Sequence, residues 1–203
     1  DADFVGTKSL LADAELCVMI SEILEKCGLS KSDYIIKISS RKITEELFKR
    51  ININDNQQKL TALRALDKID RLGWQSVKDL LGKGRKDKSG DFTKGANLSP
   101  INIEIIEKEL KKKTPETEDL NEVFKIFKNY NFDNFEFDPS IIRGLEYYTG
   151  VIFEVNLKFD VKNNKGQVIQ FGSIGGGGRY DNLVSNFGNY DAPATGISIG
   201  LDR

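Results

Sequence analysis

Hydrophobic residues in the first fifty positions recur at helical spacing, give way once to a short apolar run, and then return to helical spacing. Residues 9–27 place apolar side chains three or four positions apart and end at Gly28, which predicts a helix with a glycine stop. Residues 34–39 (YIIKIS) predict a strand, and residues 43–51 predict a second helix. The chain therefore begins by alternating helix and strand.

The pattern changes at about residue 52, and up to residue 130 the sequence is polar, rich in lysine and without a convincing strand. Apolar spacing predicts four helices in this stretch, over residues 60–72, 77–81, 99–113 and 119–130. Residues 83–97 (KGRKDKSGDFTKGAN) form a polar, glycine-rich loop, and loops of this length are usually functional or mobile. We interpret residues 52–130 as an inserted helical subdomain.

The last third of the chain switches to a period of two. Four strands are predicted, over residues 134–138, 150–159, 167–174 and 194–199, with a helix near 178–187. Asn163, Asn164 and Gly166 suit a hairpin turn. The fold class predicted is α+β: an antiparallel sheet with flanking helices, built from residues 1–51 and 131–203 and carrying the helical insertion.

The amino-acid composition limits the kinds of binding and catalysis that this chain can carry out. The 203 residues include 30 basic and 31 acidic side chains, so a surface for nucleic acid would have to be local. No apolar run approaches the roughly 18 residues of a membrane helix. Cys17 and Cys27 lie about 15 Å apart along one predicted helix and cannot pair, which favours a reducing cytosol. With 0 histidines, His-based nucleophile activation and His-ligated metals are excluded, which leaves arginine, carboxylates, tyrosine and bound ions.

Residues 143–150 (RGLEYYTG) lead directly into a predicted strand. An arginine, two phenols and flanking glycines at a strand entry suit a pocket for an anion, because the guanidinium fork matches phosphate. The alternative is structural: Tyr147 and Tyr148 alternate between core and solvent while Arg143 makes a surface ion pair.

Residues 175–181 (GGGGRYD) contain four consecutive glycines, which an ordinary turn does not need. Such a run allows a ligand to approach the backbone, or it forms a flexible hairpin end. No Gly-Lys-Ser/Thr follows it, so it is neither a Walker phosphate loop nor a dinucleotide fingerprint.

Residues 193–203 (PATGISIGLDR) alternate small and apolar positions. Gly196 and Gly200 lie four apart, hence on one face of a strand, where they leave a flat floor for a planar base. Arg203 would project where the strand passes into a helix.

These three segments together resemble the histidyl-tRNA synthetases. RGLEYYTG resembles the signature peptide of that family, GGGRYD its following glycine stretch, and PATGISIGLDR the class II motif 3. The opening DADFVG, with ADAEL after it, is similar to the end of the motif 2 region. The resemblance covers the whole chain in order, with a helical insertion between the blocks, and implies the class II catalytic fold.

The resemblance implies a histidine–tRNA ligase that uses ATP and Mg²⁺ to make histidyl-adenylate. Arg143 would contact the α-phosphate and stabilise the charge that develops during attack by the histidine carboxylate. That carboxylate is already ionised and needs no general base. Gly196, Gly200 and Arg203 would hold ATP together with Arg143.

The same resemblance assigns the histidine pocket. Tyr148 would bind one imidazole nitrogen and Asp3 the ring from the opposite side, and such a polar pair rejects wrong amino acids strongly. The remaining pocket candidates are Tyr147, Tyr180, Gly175, Gly176 and Gly177. In the insertion, which resembles a tRNA-contacting subdomain, the candidate phosphate contacts for tRNA(His) are Lys83, Arg85, Lys86, Lys88 and Lys94, with a solvated charged loop as the alternative.

Other family parts are missing between residues 1 and 203: motif 1, which builds the homodimer interface, the motif 2 arginine, and the anticodon-binding domain. We therefore expect a fragment of a cytoplasmic catalytic domain that is inactive alone. Two rivals share the fold: the histidine-sensing regulatory subunit of ATP phosphoribosyltransferase, and the pseudo-synthetase domain of a starvation-sensing kinase. The insertion and the presence of Arg143 and Arg203 favour the enzyme.

Overall fold

A computed structural model describes residues 1–87, 89–144, 146–169, 172–188 and 190–200 of the chain. Its helices are α1 (Leu10–Lys26), α2 (Arg41–Arg50), α3 (Asn56–Leu66), α4 (Ile69–Leu81), α5 (Pro100–Leu110) and α6 (Glu118–Asn129). Its strands are β1 (Ala2–Val5), β2 (Tyr34–Ser40), β3 (Gly84–Lys86), β4 (Phe92–Lys94), β5 (Phe135–Phe137), β6 (Val151–Leu157), β7 (Val161–Lys162), β8 (Val168–Ile169), β9 (Gly175–Arg179) and β10 (Ala194–Ile199). Within the described residues, no helix is long and apolar enough to cross a membrane.

The main sheet has six strands in the order β1-β10-β9-β6-β2-β5. Every neighbouring pair is antiparallel except β2 and β5, which run parallel. The predicted α+β fold with a mostly antiparallel sheet and flanking helices is confirmed. The sequence did not reveal β1, whose alternation extends over only four residues, yet it forms an edge of the sheet beside β10.

One face of this sheet is sealed by α1 and α6. Along β6 the alternate residues Val151, Phe153 and Val155 are fully buried and join the first hydrophobic core, as Ile197 of β10 does. The intervening residues Ile152 and Glu154 point to the opposite face, since side chains alternate along a strand. We call this opposite face the site face.

A second hydrophobic core is formed by α2, which contributes Leu47 and Phe48, and by the helices that follow it. Buried side chains of α3, α4 and α5 pack together there, with Leu66, Leu81 and Ile106 fully inaccessible to solvent. The short hairpin of β3 and β4 continues from α4 and forms its own two-stranded sheet. We call residues 56–110 the helical unit.

The predicted helix over 60–72 is wrong, because the structure ends α3 at Leu66 and begins α4 at Ile69. Both helices turn an apolar face to the same core, so the hydrophobic period continues although the backbone breaks. A second kink, at Gly73 with φ 74°, lies inside α4, before the segment predicted as a separate helix over 77–81. The polar loop predicted over 83–97 contains the β3–β4 hairpin.

The predicted helix near 178–187 is also wrong. Residues up to Arg179 belong to β9, and only a single 3₁₀ turn, Val184–Asn186, follows. Phe187, at the end of this segment, is 86% exposed, so it does not contribute to a buried helix face. Of the predicted strand over 167–174, residues 168–169 form β8, which pairs with β7 across the expected turn at Asn163, and residues 170–171 lie outside the described residues.

Helix α6 packs with the sheet rather than with the helical unit. Its Leu120, Val123 and Phe127 lie in the first core. Its buried Asp119 accepts a hydrogen bond of 2.6 Å from Ser40 at the end of β2. The sequence division at residues 52 and 130 stays a prediction, but the packing groups α6 with the strands that carry the candidate site.

Candidate active site

The candidate site lies on the site face, across β1, β10, β9 and β6. Asp3 on β1 stands opposite Gly196 on β10, Gly196 stands opposite Gly178 on β9, and Gly178 stands opposite Ile152 on β6. A floor of glycine backbone therefore separates an acidic residue at one edge from the chain segment that enters β6. That segment is 143–150, in which the structure describes every residue except Leu145.

Arg143 reaches over this floor from the loop before β6. Its Nη1 donates to Oε1 of Glu154 at 3.4 Å, and its Cζ lies 5.7 Å from the ring centroid of Tyr148. Within the described part of the chain, its buried Nε has no hydrogen-bond partner. The guanidinium thus keeps an unused donor beside the glycine floor, which suits the binding of an anion.

Contacts from outside the loop hold the backbone on both sides of Arg143. Nη1 of Arg41, at the start of α2, donates to the carbonyl of Arg143 at 3.1 Å. The amide of Gly144 donates to Oδ1 of Asp67 at 2.8 Å. Ile142 is buried in the core of the helical unit. The loop is therefore held both by Arg41 at the start of α2 and by the helical unit.

Three tyrosines form a row along the site face. The rings of Tyr147 and Tyr148 are 4.7 Å apart, and Tyr147 meets the edge of Tyr180 at 6.2 Å. Tyr148 is buried, and burial raises the pKa of its phenol to about 12. Its hydroxyl consequently stays protonated at neutral pH and can donate a hydrogen bond.

The far end of the row meets Asp3. The hydroxyl of Tyr180 donates to the Asp3 carboxylate. Burial, followed by this hydrogen bond, raises the pKa of Tyr180 well above its usual value. The predicted pocket residues Asp3, Tyr147, Tyr148 and Tyr180 are thus brought into one connected group, with Arg143 at the opposite end.

Close approach of neighbouring groups explains the glycines. A Cβ at Gly176 would lie 2.3 Å from Nη1 of Arg143, and one at Gly196 would lie 1.7 Å from Oδ1 of Asp3. Both positions therefore make room for a site side chain. A Cβ at Gly175 would instead meet Ile20 of α1, and one at Gly177 would meet the backbone carbonyl of Gly196 at 1.9 Å. The glycine run is a central strand, and the assignment of these glycines to histidine binding stays a prediction.

Sequence reasoning missed a buried ion pair beneath the site. Arg179 turns toward α1, where its Nε donates to the fully buried Asp13 at 3.0 Å. Its remaining donors reach the carbonyls of Thr7 and Ser9 and the carboxylate of Asp181. Burial raises the pKa of Asp13, with the guanidinium opposing the rise. The sequence GGGGRYD contained a signal for this pair, because alternation along a strand places Arg179 and Tyr180 on opposite faces of the sheet.

Asp181 extends this network to the loop that carries Arg143. Its carboxylate accepts from the Thr149 hydroxyl at 2.8 Å, and the Thr149 amide donates to the carbonyl of Arg179 at 2.8 Å. Gly150 packs against Arg179, since a Cβ there would lie 3.2 Å from its Cδ. These contacts therefore hold the end of the 143–150 segment against the chain at Arg179 and Asp181.

The remaining predicted residues are distributed as follows. Gly200 follows β10, where its amide donates to the carbonyl of Ile174, and Arg203 lies outside the described residues. Of the loop cations, Arg85 and Lys86 lie on β3, Lys94 lies on β4, and Lys88 is outside the described residues. Lys83 and Lys94 line an open cavity of about 780 Å³ on the helical unit.

Magnesium, which the resemblance implies beside ATP, has no evident protein ligands here. In the ranges that the structure describes, His, Cys, Asp and Glu side chains form no group of three or more that could hold a metal ion. Glu154, which forms an ion pair with Arg143, has its pKa raised, chiefly by burial.

The comparison with known sequences decides the family. A family model described as histidyl-tRNA synthetase matches residues 2–203. The chain belongs to the histidyl-tRNA synthetase family. A relative named histidine–tRNA ligase from Bartonella quintana (strain Toulouse) is 44% identical over 228 residues, covering 100% of this chain and 46% of the relative. One of the same name from Jannaschia sp. (strain CCS1) is 42% identical, with 100% and 45% covered.

Solved structures agree with this family assignment. A crystal structure of histidyl-tRNA synthetase from Nostoc sp. PCC 7120 has a TM-score of 0.75 at 27% identity and covers 98% of this chain and 47% of that chain. A structure described as an ATP phosphoribosyltransferase regulatory subunit/histidyl-tRNA synthetase from Bacillus halodurans C matches with a TM-score of 0.67 at 20% identity, which shows a shared fold only. The chain spans about half the length of the curated histidyl-tRNA synthetase relatives it matches.

Proposed function

We propose that this chain is the central part of the catalytic domain of a cytoplasmic histidine–tRNA ligase. The protein would activate histidine with ATP to histidyl-adenylate and then transfer histidine to tRNA(His). The observation that carries this proposal is the arrangement of the site face. Arg143 stands at one end of a row of tyrosines, and the hydrogen-bonded Tyr180 and Asp3 stand at the other, beside a floor of glycines.

In the proposed reaction, a carboxylate oxygen of histidine forms a bond to the α-phosphorus of ATP, and the bond from that phosphorus to pyrophosphate breaks. Negative charge grows on the equatorial oxygens of the phosphorus. A guanidinium already fixed in place stabilises that charge without reorganisation. The contact with Glu154, the position over Tyr148 and the unused Nε of Arg143 support this role.

Histidine recognition is proposed for Tyr148, Tyr180 and Asp3. A protonated Tyr148 donates to one imidazole nitrogen, while Asp3 accepts from the other, so the ring is held by a donor and an acceptor. An amino acid without these two groups leaves buried polar atoms unpaired, which permits strong discrimination. Tyr147 and Gly176 complete the wall and the floor.

The remaining parts of the proposal concern segments beyond the site. ATP would also be held by Gly196, Gly200 and Arg203, with Mg²⁺ bound mainly through the phosphates. The helical unit would contact tRNA(His) through its basic residues, and the full-length protein would be a homodimer. The 203-residue chain alone is expected to show no adenylate formation, because the family's motif 2 arginine is not among its residues.

The test is histidine-dependent ATP–pyrophosphate exchange. It is measured on a full-length protein that contains this chain and is as long as its relatives, and on residues 1–203 alone. We expect exchange from the former and none from the latter. The alternative, a histidine-sensing regulatory subunit, would bind histidine without exchange in either form. Robust exchange by residues 1–203 would contradict the proposed fragment, and histidine binding without exchange at full length would contradict the ligase.

A further inference from the structure

The loop that carries Arg143 has no regular structure of its own. In its described residues, the connection from β5 to β6 contains no helix or strand. The position of Arg143 must therefore be set by contacts from other segments. A displacement of about 1 Å in a catalytic group can lower a rate by two orders of magnitude, so these contacts matter for chemistry.

Two of these contacts come from the helical unit. Oδ1 of Asp67 accepts the Gly144 amide at 2.8 Å, across 77 residues of sequence. Ile142, on the other side of Arg143, is 3% exposed within the core of the helical unit. The helical unit thus holds the residue after Arg143 directly, and it shares with α2 the core that buries the residue before it.

Among the described residues, the Asp67 side chain makes no capping hydrogen bond in its own segment. It lies between α3 and α4, where a carboxylate could cap the first turn of α4. The N-cap of α4 is instead Lys68, and no side chain makes a capping hydrogen bond there. A Cβ at Gly144 would lie 3.0 Å from Oδ2 of Asp67, so the glycine permits the close approach of the carboxylate.

A cavity of about 340 Å³ lies at this junction, and both Asp67 and Arg143 line it together with Glu154. We propose that Asp67 is a positioning residue that couples the placement of the helical unit to the placement of the Arg143 guanidinium. The proposal rests on the proposed ligase function, because Arg143 is the group that would stabilise the α-phosphate. It implies that adenylate formation depends on the helical unit even when no tRNA is bound.

The experiment uses the full-length protein and measures single-turnover adenylate formation without tRNA. Asp67→Ala removes the acceptor for the Gly144 amide, and we expect its rate constant to fall about 10- to 100-fold. The KM for histidine should change less than the rate constant, because Asp3 on β1 and Tyr180 after β9 lie outside this loop and only Tyr148 lies within it. Asp67→Asn keeps a side-chain oxygen acceptor and should recover most of the rate. Asp70→Ala removes a nearby exposed carboxylate that makes no contact with Gly144, and it should react like the unmodified protein.

A double-variant cycle separates positioning from general destabilisation. If Asp67 acts through Arg143, Asp67→Ala should cause no further loss in an Arg143→Ala background. Asp67→Ser, which removes the carboxylate that accepts the Gly144 amide, repeats the test if the alanine variant folds poorly. The proposal is overturned by an unchanged rate in both truncations, by a rise in KM for histidine equal to the fall in rate, or by additive losses in the double variant. Absence of exchange by the unmodified protein would instead refute the ligase function, before any variant is compared.

Discussion

The buried pair of Asp13 and Arg179 provides a stability prediction whose size follows from the structure. The Arg179 side chain is 6% exposed and that of Asp13 is 0% exposed. Arg179→Met keeps a chain of similar length but removes every donor, which leaves the Asp13 carboxylate buried without a cation. Breaking a buried pair in this way costs about 3–5 kcal/mol. The carbonyls of Thr7 and Ser9 also lose their donor, which favours the upper end of that range.

The double variant Asp13→Leu with Arg179→Met should be more stable than Arg179→Met alone. Burial raises the pKa of Asp13 despite the nearby guanidinium, so the ionised carboxylate gains little net free energy from the pair. Replacing both charges with apolar groups removes that desolvation cost. We expect a coupling energy of at least about 2 kcal/mol between the two sites.

Urea unfolding of the full-length protein, followed by circular dichroism and analysed with a shared m-value, measures these differences. Lys8→Met is the matched control, because it removes a cation whose ion pair with Asp191 is largely exposed. Its effect should stay below about 0.5 kcal/mol. If Arg179→Met lowered the free energy of unfolding by less than about 1 kcal/mol, or if the losses in the double variant were additive, the view that this pair is buried and mutually dependent would be refuted.

Three further predictions concern the site. Arg143→Ala should lower kcat for adenylate formation about 10²–10⁴-fold with little change in histidine affinity, and Arg143→Lys should restore little activity because lysine lacks the planar guanidinium fork. Pre-steady-state kinetics measures the adenylate step and calorimetry measures histidine binding, and a loss of histidine affinity with normal adenylate formation would contradict this prediction. Gly196→Ala should raise the KM for histidine, because the new Cβ would overlap the Asp3 carboxylate, whereas Gly166→Ala in the exposed hairpin turn should not change it. Glu154→Gln should match the unmodified protein in stability at low pH and become the more stable of the two as pH rises through the raised pKa of Glu154, since the half-buried carboxylate then ionises at a cost. Melting temperatures from pH 4 to pH 8 test this, and a difference that does not change with pH would contradict it.

The sequence was informative where a pattern is local. Helix α1 and strand β2 were predicted within a residue or so of their observed bounds, because each carries a full hydrophobic period and a clear end signal. The hydrophobic period predicted one helix where two helices share a core, with α3 ending at Leu66 and α4 beginning at Ile69. The period continues across the break because burial maintains it, and it does not require a continuous helical backbone. Edge strand β1 was too short for its alternation to stand out.

The candidate site was predictable in its residues but not in their partners. Motif resemblance singled out Arg143, Tyr148 and Asp3, which the structure places on one face of the sheet. Their supporting groups come from distant positions: 77 residues separate Asp67 from Gly144, and 166 separate Asp13 from Arg179. No short-range spacing could have paired them, because only the fold brings these segments together.

The parallel pairing of β2 and β5 has a consequence for how this family can diverge. Ile36 pairs with Phe135, so the chain leaves the sheet at Ser40 and returns beside the strand it left, with the whole helical unit in between. The entropy of closing such an excursion grows only with the logarithm of its length, by about 0.6 kcal/mol for each doubling. Residues can therefore be gained or lost between the two strands with little penalty to the sheet, provided that the contacts to the loop before β6 survive. The sheet itself therefore constrains the length of this excursion only weakly, and the contact between Asp67 and Gly144 is the point at which the excursion is tied back to the loop before β6.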